Sequence, residues 1–360
     1  MDSVSQFALG AAVGVAAMGR RTAVWKAALW GGVAGTLPDL DVLIDQGDAV
    51  RNMVLHRAES HSLFWLTLFS LPFAALVARI QGQWTLWRRW WLALWLSLVT
   101  HPLLDLMTVY GTQIALPFSN HPFAVGSVFI IDPLYTLPLL IGTGWALATR
   151  EKRGAPALMS AGGVRANAVG LILSTAYLGY GLAVQQHVTR VAHATLAAQG
   201  IAAERVIVMP SAFNSVLWRV VVVAGDEYLE GFHSLLDRPS ADAPVISFER
   251  YPRGNALIAE LQGTAAVELV RAFSKGFHAM RVEGSRVIIT DLRMGQEPAY
   301  IFSFAVAERS SPAVPLAKPE QIGARPDLGC GLPWIWRRMW GEPMPPLVRH
   351  CARSAPPSIR

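Results

Sequence analysis

The sequence predicts an α-helical integral membrane domain, with four clear spans and a short N-terminal helix pair, followed by a soluble α+β domain with an antiparallel sheet. Three observations carry this. Of 360 residues, 52% are hydrophobic and only 16% charged, with 13 Trp. An average soluble protein is about 25% charged. The mean hydropathy is +0.35, and the long apolar runs fall almost entirely before residue 186. A disordered chain is excluded, and one large soluble enzyme is disfavoured. The expected organisation is a membrane domain over 1–185, a soluble α+β domain over 186–310, and a Pro/Arg/Trp-rich tail over 311–360.

A membrane-spanning helix needs about 20 mostly apolar residues. Leu63–Ile80, Trp90–Leu106, Leu134–Ala148 and Asn167–Val184 come close to that length. Before them stand two shorter segments, Val4–Met18 and Ala23–Leu37, divided by Gly19-Arg20-Arg21. Their small residues Gly10, Gly14, Gly31, Gly32 and Gly35 suit close helix packing. The Met1 start lacks a basic region and a small-residue cleavage site, so no removed signal peptide is expected. In the second half, residues 186–200 read as an amphipathic helix. Val206–Met209, Leu217–Val223, Tyr228–Leu236, Val245–Phe248, Ala279–Val282, Val287–Thr290 and Ala299–Val306 read as strands, and Thr264–Ser274 as a helix. His233, His278, Asp291 and Arg293 are the polar singles of this half, with core or turn roles expected. Trp334, Trp336 and Trp340 mark a tail that is either poorly ordered or laid on the membrane surface, where Trp is enriched. Cys330 and Cys351, 21 apart, form one disulfide if the tail faces an oxidising compartment, or stay as two thiols.

The charges of the first 165 residues are sorted. Ten of the 12 Lys/Arg sit in three connections: Arg20, Arg21 and Lys26; Arg79, Arg88 and Arg89; Arg150, Lys152, Arg153 and Arg165. Eight of the nine acidic residues, and His56, His61, His101 and His121, sit on the other set. Segments alternating in direction would put all bases on one face, which the positive-inside rule makes cytoplasmic. The acid and histidine face, with the C-terminal domain, is then extracytoplasmic. The net charge is +6, yet no Lys/Arg run with interleaved aromatics exists, so nucleic acid is not an expected partner.

On that face lie Leu37-Pro38-Asp39-Leu40-Asp41, His56-Arg57-Ala58-Glu59-Ser60-His61-Ser62, His101-Pro102-Leu103-Leu104-Asp105 and Asp132-Pro133. Ionisable groups near a bilayer core cost about 2.5–3.5 kcal/mol on insertion scales, so they need partners or a task. His101 and Asp105, four apart, share one helix face and can bind one metal, or form a neutral buried pair. Asp39 and Asp41, two apart, aim the same way on an extended segment and repel unless a cation lies between them or one is protonated. His56 and His61 fit a loop entering a helix, with Ser60 or Ser62 as its N-cap. Arg57 either pairs with a buried carboxylate or clamps a phosphoryl oxygen. Asp132 is explained as an N-cap with Pro133 at N1, or as a further ligand. His121 is a weak candidate. Such N/O donors suit a divalent metal, zinc first with Mn or Mg behind it. There is no CxxC pair, HExxH, GxSxG or P-loop pattern.

GTLPDLD, HRAESHS, HPLLDLMTVYGTQ and IDPLYTLPLL, preceded by Asp2, Gln6 and Gly10, occur in an order that resembles the membrane-bound metal-dependent hydrolases, the LexA-regulated, YdjM-like inner-membrane family. The resemblance covers roughly 1–185. Asn214…Leu217-Trp218-Arg219 and Asp291-Leu292-Arg293-Met294-Gly295 look like the C-terminal domain of one bacterial branch. The family is distantly similar to zinc-dependent phospholipase C, whose HxxxD pair, with an upstream Asp and His, holds a zinc cluster. By motif this implies His101 and Asp105, with Asp41 and His61 upstream. Many members carry His where this chain has Gln6, and an amide is a much poorer zinc ligand.

The expected function is therefore a metal-dependent hydrolase of the bacterial inner membrane, multi-pass, acting on an ester or phosphoester, with a lipid-linked substrate suggested by the site's depth. Expected ligands are Asp41, His61, His101 and Asp105, with His56 and Asp132 as further candidates. Asp39 is a ligand or general base, and Arg57 stabilises negative charge. The alternative is a transporter or metal-sensing scaffold that uses the same cluster as an ion pathway or structural site.

Overall fold

The structure is a computed structural model that describes residues 1–149, 158–238, 244–324 and 326–354. The chain divides into two units: Met1–Ile44 with His56–Leu182, and Asp45–Leu55 with Ala183–Arg360. The expected basic connection at Arg150, Lys152 and Arg153 lies outside the described residues.

The first seven helices are α1 (Ser3–Met18), α2 (Val24–Thr36), α3 (Ala49–Leu55), α4 (Leu63–Ile80), α5 (Trp87–Leu106), α6 (Pro133–Ala148) and α7 (Ala161–Ala198). All but α3 build the first unit, to which α7 contributes up to Leu182. Asp2 caps α1 by accepting from the Val4 and Ser5 amides, and Gly19 ends it at φ 56°. The glycines of α1 and α2 leave no room for a side chain. A Cβ on Gly14 would stand 2.6 Å from the Ala27 carbonyl oxygen, and one on Gly35 2.6 Å from that of Gln6. Contact of the two backbones is what brings the end of α2 beside the start of α1. α4 and α5 run antiparallel, joined by Trp91 Nε1 to Ser70 Oγ and Trp95 Nε1 to Thr67 Oγ1, each 3.0 Å.

The basic turns gather at one end of this unit. Gln83 Oε1, in the α4–α5 turn, accepts from Thr22 Oγ1 of the α1–α2 turn and from Trp90 Nε1, both at 3.0 Å. The Asp and His segments lie at the opposite helix ends.

The expectation of four clear spans is corrected. Among the described residues only Leu63–Ile80 and the helix Ala161–Ala198 are long and apolar enough to cross a membrane. The 16 residues of α6 reach about 24 Å, short of a hydrocarbon core of about 30 Å. α5 is long enough but carries Arg88, Arg89, His101 and Asp105. Its Trp90, Leu94, Leu98 and His101 are buried within the unit.

The second unit is rich in sheet. Its strands are β1 (Arg205–Pro210), β2 (Leu217–Ala224), β3 (Glu227–Ser234), β4 (Phe248–Pro252), β5 (His278–Glu283), β6 (Arg286–Asp291), β7 (Gly295–Gln296), β8 (Ala299–Tyr300), β9 (Ser303–Glu308) and β10 (Val314–Gln321). They form antiparallel sheets in the orders β1-β2-β3-β4 and β10-β9-β6-β5, with a β7-β8 ribbon. β2 is buried on both faces from Leu217 to Val223. Val220, Val222 and Leu229 pack with Val184, Val188, Ala192 and Leu196 of α7, so the amphipathic pattern of 186–200 is the end of α7 rather than a separate helix. Helices α8 (Asn255–Glu260), α9 (Ala265–Phe273), α10 (Leu328–Met339) and α11 (Leu347–Ser354) complete the unit.

Three local differences separate the strands from their expected ranges. The strand expected at Val245–Phe248 begins only at Phe248, although Ile246 is buried in the core. The 299–306 run breaks into β8 and β9. β10 replaces part of the expected tail and carries Pro315 and Pro319, which a sheet tolerates at an edge because an edge strand can lack amide donors on one side.

Candidate metal centre

Four side chains meet at one end of the first unit. Asp39 comes from the 3-10 turn Leu37–Leu43 that continues α2, and His61 from the 3-10 turn Glu59–His61 before α4. His101 and Asp105 come from the last turns of α5. One donor atom from each lies within 4.8 Å of all the others. His61 Nε2 stands 3.0 Å from His101 Nε2, 3.2 Å from Asp105 Oδ2 and 3.4 Å from Asp39 Oδ1. His101 Nε2 is 3.3 Å from both Asp39 Oδ1 and Asp105 Oδ2.

The tautomers follow from the outer partners. His101 Nδ1 lies 2.6 Å from the Gly35 carbonyl oxygen. A carbonyl only accepts, so Nδ1 carries a hydrogen, and in the neutral ring Nε2 faces inward as a lone pair. Ser60 Oγ gives its hydrogen to Asp41 Oδ2 at 2.6 Å and so accepts from His61 Nδ1 at 2.8 Å. That turns the His61 Nε2 lone pair inward too. Asp39 Oδ1 and Asp105 Oδ2 are buried without a hydrogen-bond partner. Two lone pairs and two anionic oxygens so close repel unless a cation or a proton lies among them.

The donors fit a metal. A tetrahedral zinc with ligands at about 2.0–2.1 Å separates its donors by about 3.3–3.4 Å. Five of the six separations match that to within about 0.3 Å, and all four donors lie within 4.8 Å of one another. His61, His101 and Asp105 are wholly buried, whereas the Asp39 side chain is 19% exposed, so the cluster opens on the Asp39 side.

Around these four lies a supporting layer. Asp41 is not among the four. It accepts from His56 Nδ1 at 2.7 Å, the Arg57 amide at 3.0 Å and Ser60 Oγ, and through Ser60 it orients His61. Burial pushes the Asp41 carboxyl up, but the His56, Ser60 and Arg57 bonds outweigh it and hold it below the usual carboxylate range. Arg57 sits at φ 67°, unusual for a side chain of its size. Its amide is held by Asp41 and its carbonyl by the Gln113 amide at 3.0 Å. The guanidinium lies 3.3 Å from Asp105 Oδ1, donates to Thr108 Oγ1 at 3.3 Å and covers the Tyr110 ring at 4.8 Å. Its Nε is buried without a partner. Gln6 Nε2 donates to Asp105 Oδ1 at 3.1 Å and to the His101 carbonyl at 3.2 Å, and the Met1 amine pairs with Asp105 Oδ1.

Asp132 is not brought to the cluster. It caps α6, accepting from the Leu134 amide at 3.0 Å and Tyr177 OH at 2.8 Å. The N-cap of α4 is Ser62, which accepts from Trp65 N. His121 is exposed against Phe123. Sequence reasoning did not single out Thr108, Tyr110 or the Gly35 carbonyl. Tyr110 follows HPLLDLMTV and had a positional signal, but a backbone carbonyl that orients a histidine leaves none.

The family model described as YdjM inner membrane protein matches residues 1–188, slightly over half of the chain and including every residue of the cluster. No curated protein and no solved structure gives a match. The chain belongs to the YdjM inner membrane protein family.

Proposed function

We propose that this protein is a metal-dependent hydrolase of the inner membrane that directs water onto an ester or phosphoester, with a lipid-like molecule as substrate. The carrying observation is the quartet of donors with two unpartnered carboxylate oxygens, Asp39 Oδ1 and Asp105 Oδ2. In this reading His61, His101 and Asp105 would hold a divalent metal, zinc first and Mn or Mg behind it, with Asp39 beside it on the exposed side. Such a metal supplies Lewis acidity and lowers the pKa of water to about 7. Asp39, the one partly exposed member, takes the proton of the attacking water at its carboxylate. Arg57 offsets the charge of Asp105 and offers Nε, its uncommitted donor, to an anionic oxygen of the substrate. Asp41 and Gly35 keep both imidazoles in the tautomer that faces inward.

The basic turns gathered around Gln83 support a cytoplasmic location for that end, and hence an extracytoplasmic one for the cluster. A disulfide between Cys330 and Cys351, with Cα atoms 5.7 Å apart, supports an oxidising compartment for the C-terminal unit.

One observation favours a second reading, a transporter or metal-bound scaffold without turnover. Protein atoms stand at all four corners of the set, as in structural zinc sites, which keep no open position. The purified full chain tests both. Metal analysis should give about one divalent ion per chain, as a single four-donor site holds. Ester and phosphodiester lipids should turn over in wild type, stop in His101→Ala with the metal gone, and stop in Asp39→Asn. No bound metal in wild type, or equal metal in His101→Ala, refutes the site. Metal without turnover of any lipid ester or phosphoester selects the second reading.

A further inference from the structure

We propose that the outward face of α10 and its C-cap, formed by Leu328, Leu332, Trp336 and the cap residue Trp340, docks the C-terminal unit onto the surface of a lipid bilayer. These residues recur every fourth position, so each lies about one turn from the next along one side of the helix. All four are exposed, Trp336 by 60% and Trp340 by 59%. Among the described residues the other exposed large hydrophobics of this unit, such as Leu55, Phe213, Val245 and Val282, are scattered singly, which is normal.

The face cannot turn inward, because the opposite side of α10 is fixed. Trp334 is buried against Phe232, with ring centroids 4.9 Å apart, and donates to the Pro345 carbonyl at 2.7 Å. Arg338 Nη2 bonds Asp237 Oδ2 at 2.8 Å and the Phe232 carbonyl at 3.1 Å. The Cys330–Cys351 bridge ties α10 to α11. With Trp334 already seated, Trp336 and Trp340 are left outside.

Three observations select lipid as the occupant. The chain belongs to an inner-membrane family, and its α7 is a candidate span of 38 residues. Up to Leu182 that helix reaches about 33 Å, enough for a bilayer core of about 30 Å, and its remaining residues belong to the C-terminal unit. A domain carried on such a helix meets lipid at high effective concentration, so a weak face suffices. The residues are the type that settles between headgroups and acyl chains, Trp beside Leu. The nearby arginines are committed, Arg337 to Glu342 and Arg338 to Asp237, which disfavours a strongly acidic protein partner. This inference rests on membrane residence alone and is independent of hydrolase activity.

The test uses the full chain in proteoliposomes of phosphatidylethanolamine and phosphatidylglycerol doped with a phospholipid bearing a diazirine on its acyl chain. After irradiation and digestion, peptides covering 328–340 should carry label several-fold above those covering the soluble strands β5 and β6, as expected for interfacial Trp. The Leu63–Ile80 peptide is the positive control. The double substitution Trp336→Ser, Trp340→Ser should remove most of the label from 328–340 while leaving the disulfide and the Leu63–Ile80 signal intact. Label on 328–340 no higher than on β5 and β6 overturns the proposal. So does chain-to-chain cross-linking through this face by an added bifunctional reagent that grows with the protein-to-lipid ratio, which would mean that a second copy covers it.

Discussion

Both units bury charge, but they handle it differently. In the sheet unit each buried ion has an opposite one at hydrogen-bond distance. Arg219 Nε donates to Glu230 Oε1 at 2.6 Å, and its remaining nitrogens reach the Leu292 carbonyl at 2.8 Å and Tyr300 OH at 3.1 Å. Arg293 closes a fork on Asp291, with Nη2 to Oδ2 at 2.6 Å. In the helical unit the four metal-site donors converge with two carboxylate oxygens left unpartnered. A satisfied pair is a structural device and needs nothing more. An unsatisfied quartet, supported by Asp41, Ser60 and the Gly35 carbonyl, is a group that could hold a cation.

The largest effect that could break this contrast is His101→Ala. It should reduce bound metal in the purified chain to background by elemental analysis, without unfolding the sheet unit. Retained metal would erase the distinction between the two clusters. The mirror substitution, Glu230→Ala, should leave metal content unchanged. It should destabilise the sheet unit by about 3–5 kcal/mol, the usual cost of stranding one member of a buried ion pair, read by thermal unfolding. A mild effect there would mean that Arg219 is carried by Tyr300 and Leu292 instead.

A third effect concerns His278, the buried residue of the sheet unit whose Nε2 lacks a partner. Burial, and then the charge of Arg253, push its imidazole down to about 4. The folded state therefore holds it neutral where the unfolded chain, near 6.5, takes a proton. Its contribution is fully present above about pH 6.5 and is lost as pH falls toward 4, up to about 3 kcal/mol. His278→Gln should flatten that acid slope in unfolding midpoints measured across pH 4–7. An unchanged slope would assign the acid sensitivity elsewhere.

The smallest expected effect sharpens the contrast from within the metal site. Asp41→Asn leaves all four donors in place but weakens the hold on His61 through Ser60. Metal affinity should fall about 10–100-fold, as for other outer-layer partners, measured by competition with a chelator. A complete loss would promote Asp41 to a donor, and no change would demote it to a loop carboxylate.

The clusters themselves were readable because spacing within one helix is decided by local geometry. His101 and Asp105, four apart on α5, present both donors to one point as any helix would. The Asp39 and Asp41 pair was not so readable. On an extended segment they would aim the same way, but they stand in a 3-10 turn, where residues two apart diverge by about 240°. One therefore faces the quartet and the other faces His56 and Ser60. The spans were misjudged for a related reason. Apolarity marks a helix as hidden from water but does not say whether lipid or other helices hide it, and α5 is hidden mostly by its neighbours. β10 escaped notice because Pro315 and Pro319 break the strand pattern, and an edge position that tolerates them is a property of the sheet.

Composition and local order were thus enough for a helical first half, an antiparallel second half, and bases sorted away from acids and histidines. These depend on period, charge and neighbours along the chain. Which carboxylate reaches the donors, which helices are candidates for lipid contact, and whether Cys330 meets Cys351 depend on segments tens of residues apart. In the first unit the meeting of the donors rests on backbone contact at Gly10, Gly14, Gly31 and Gly35, and on the direction in which each turn releases the chain. Close packing in three dimensions selects among arrangements that the linear pattern leaves equal.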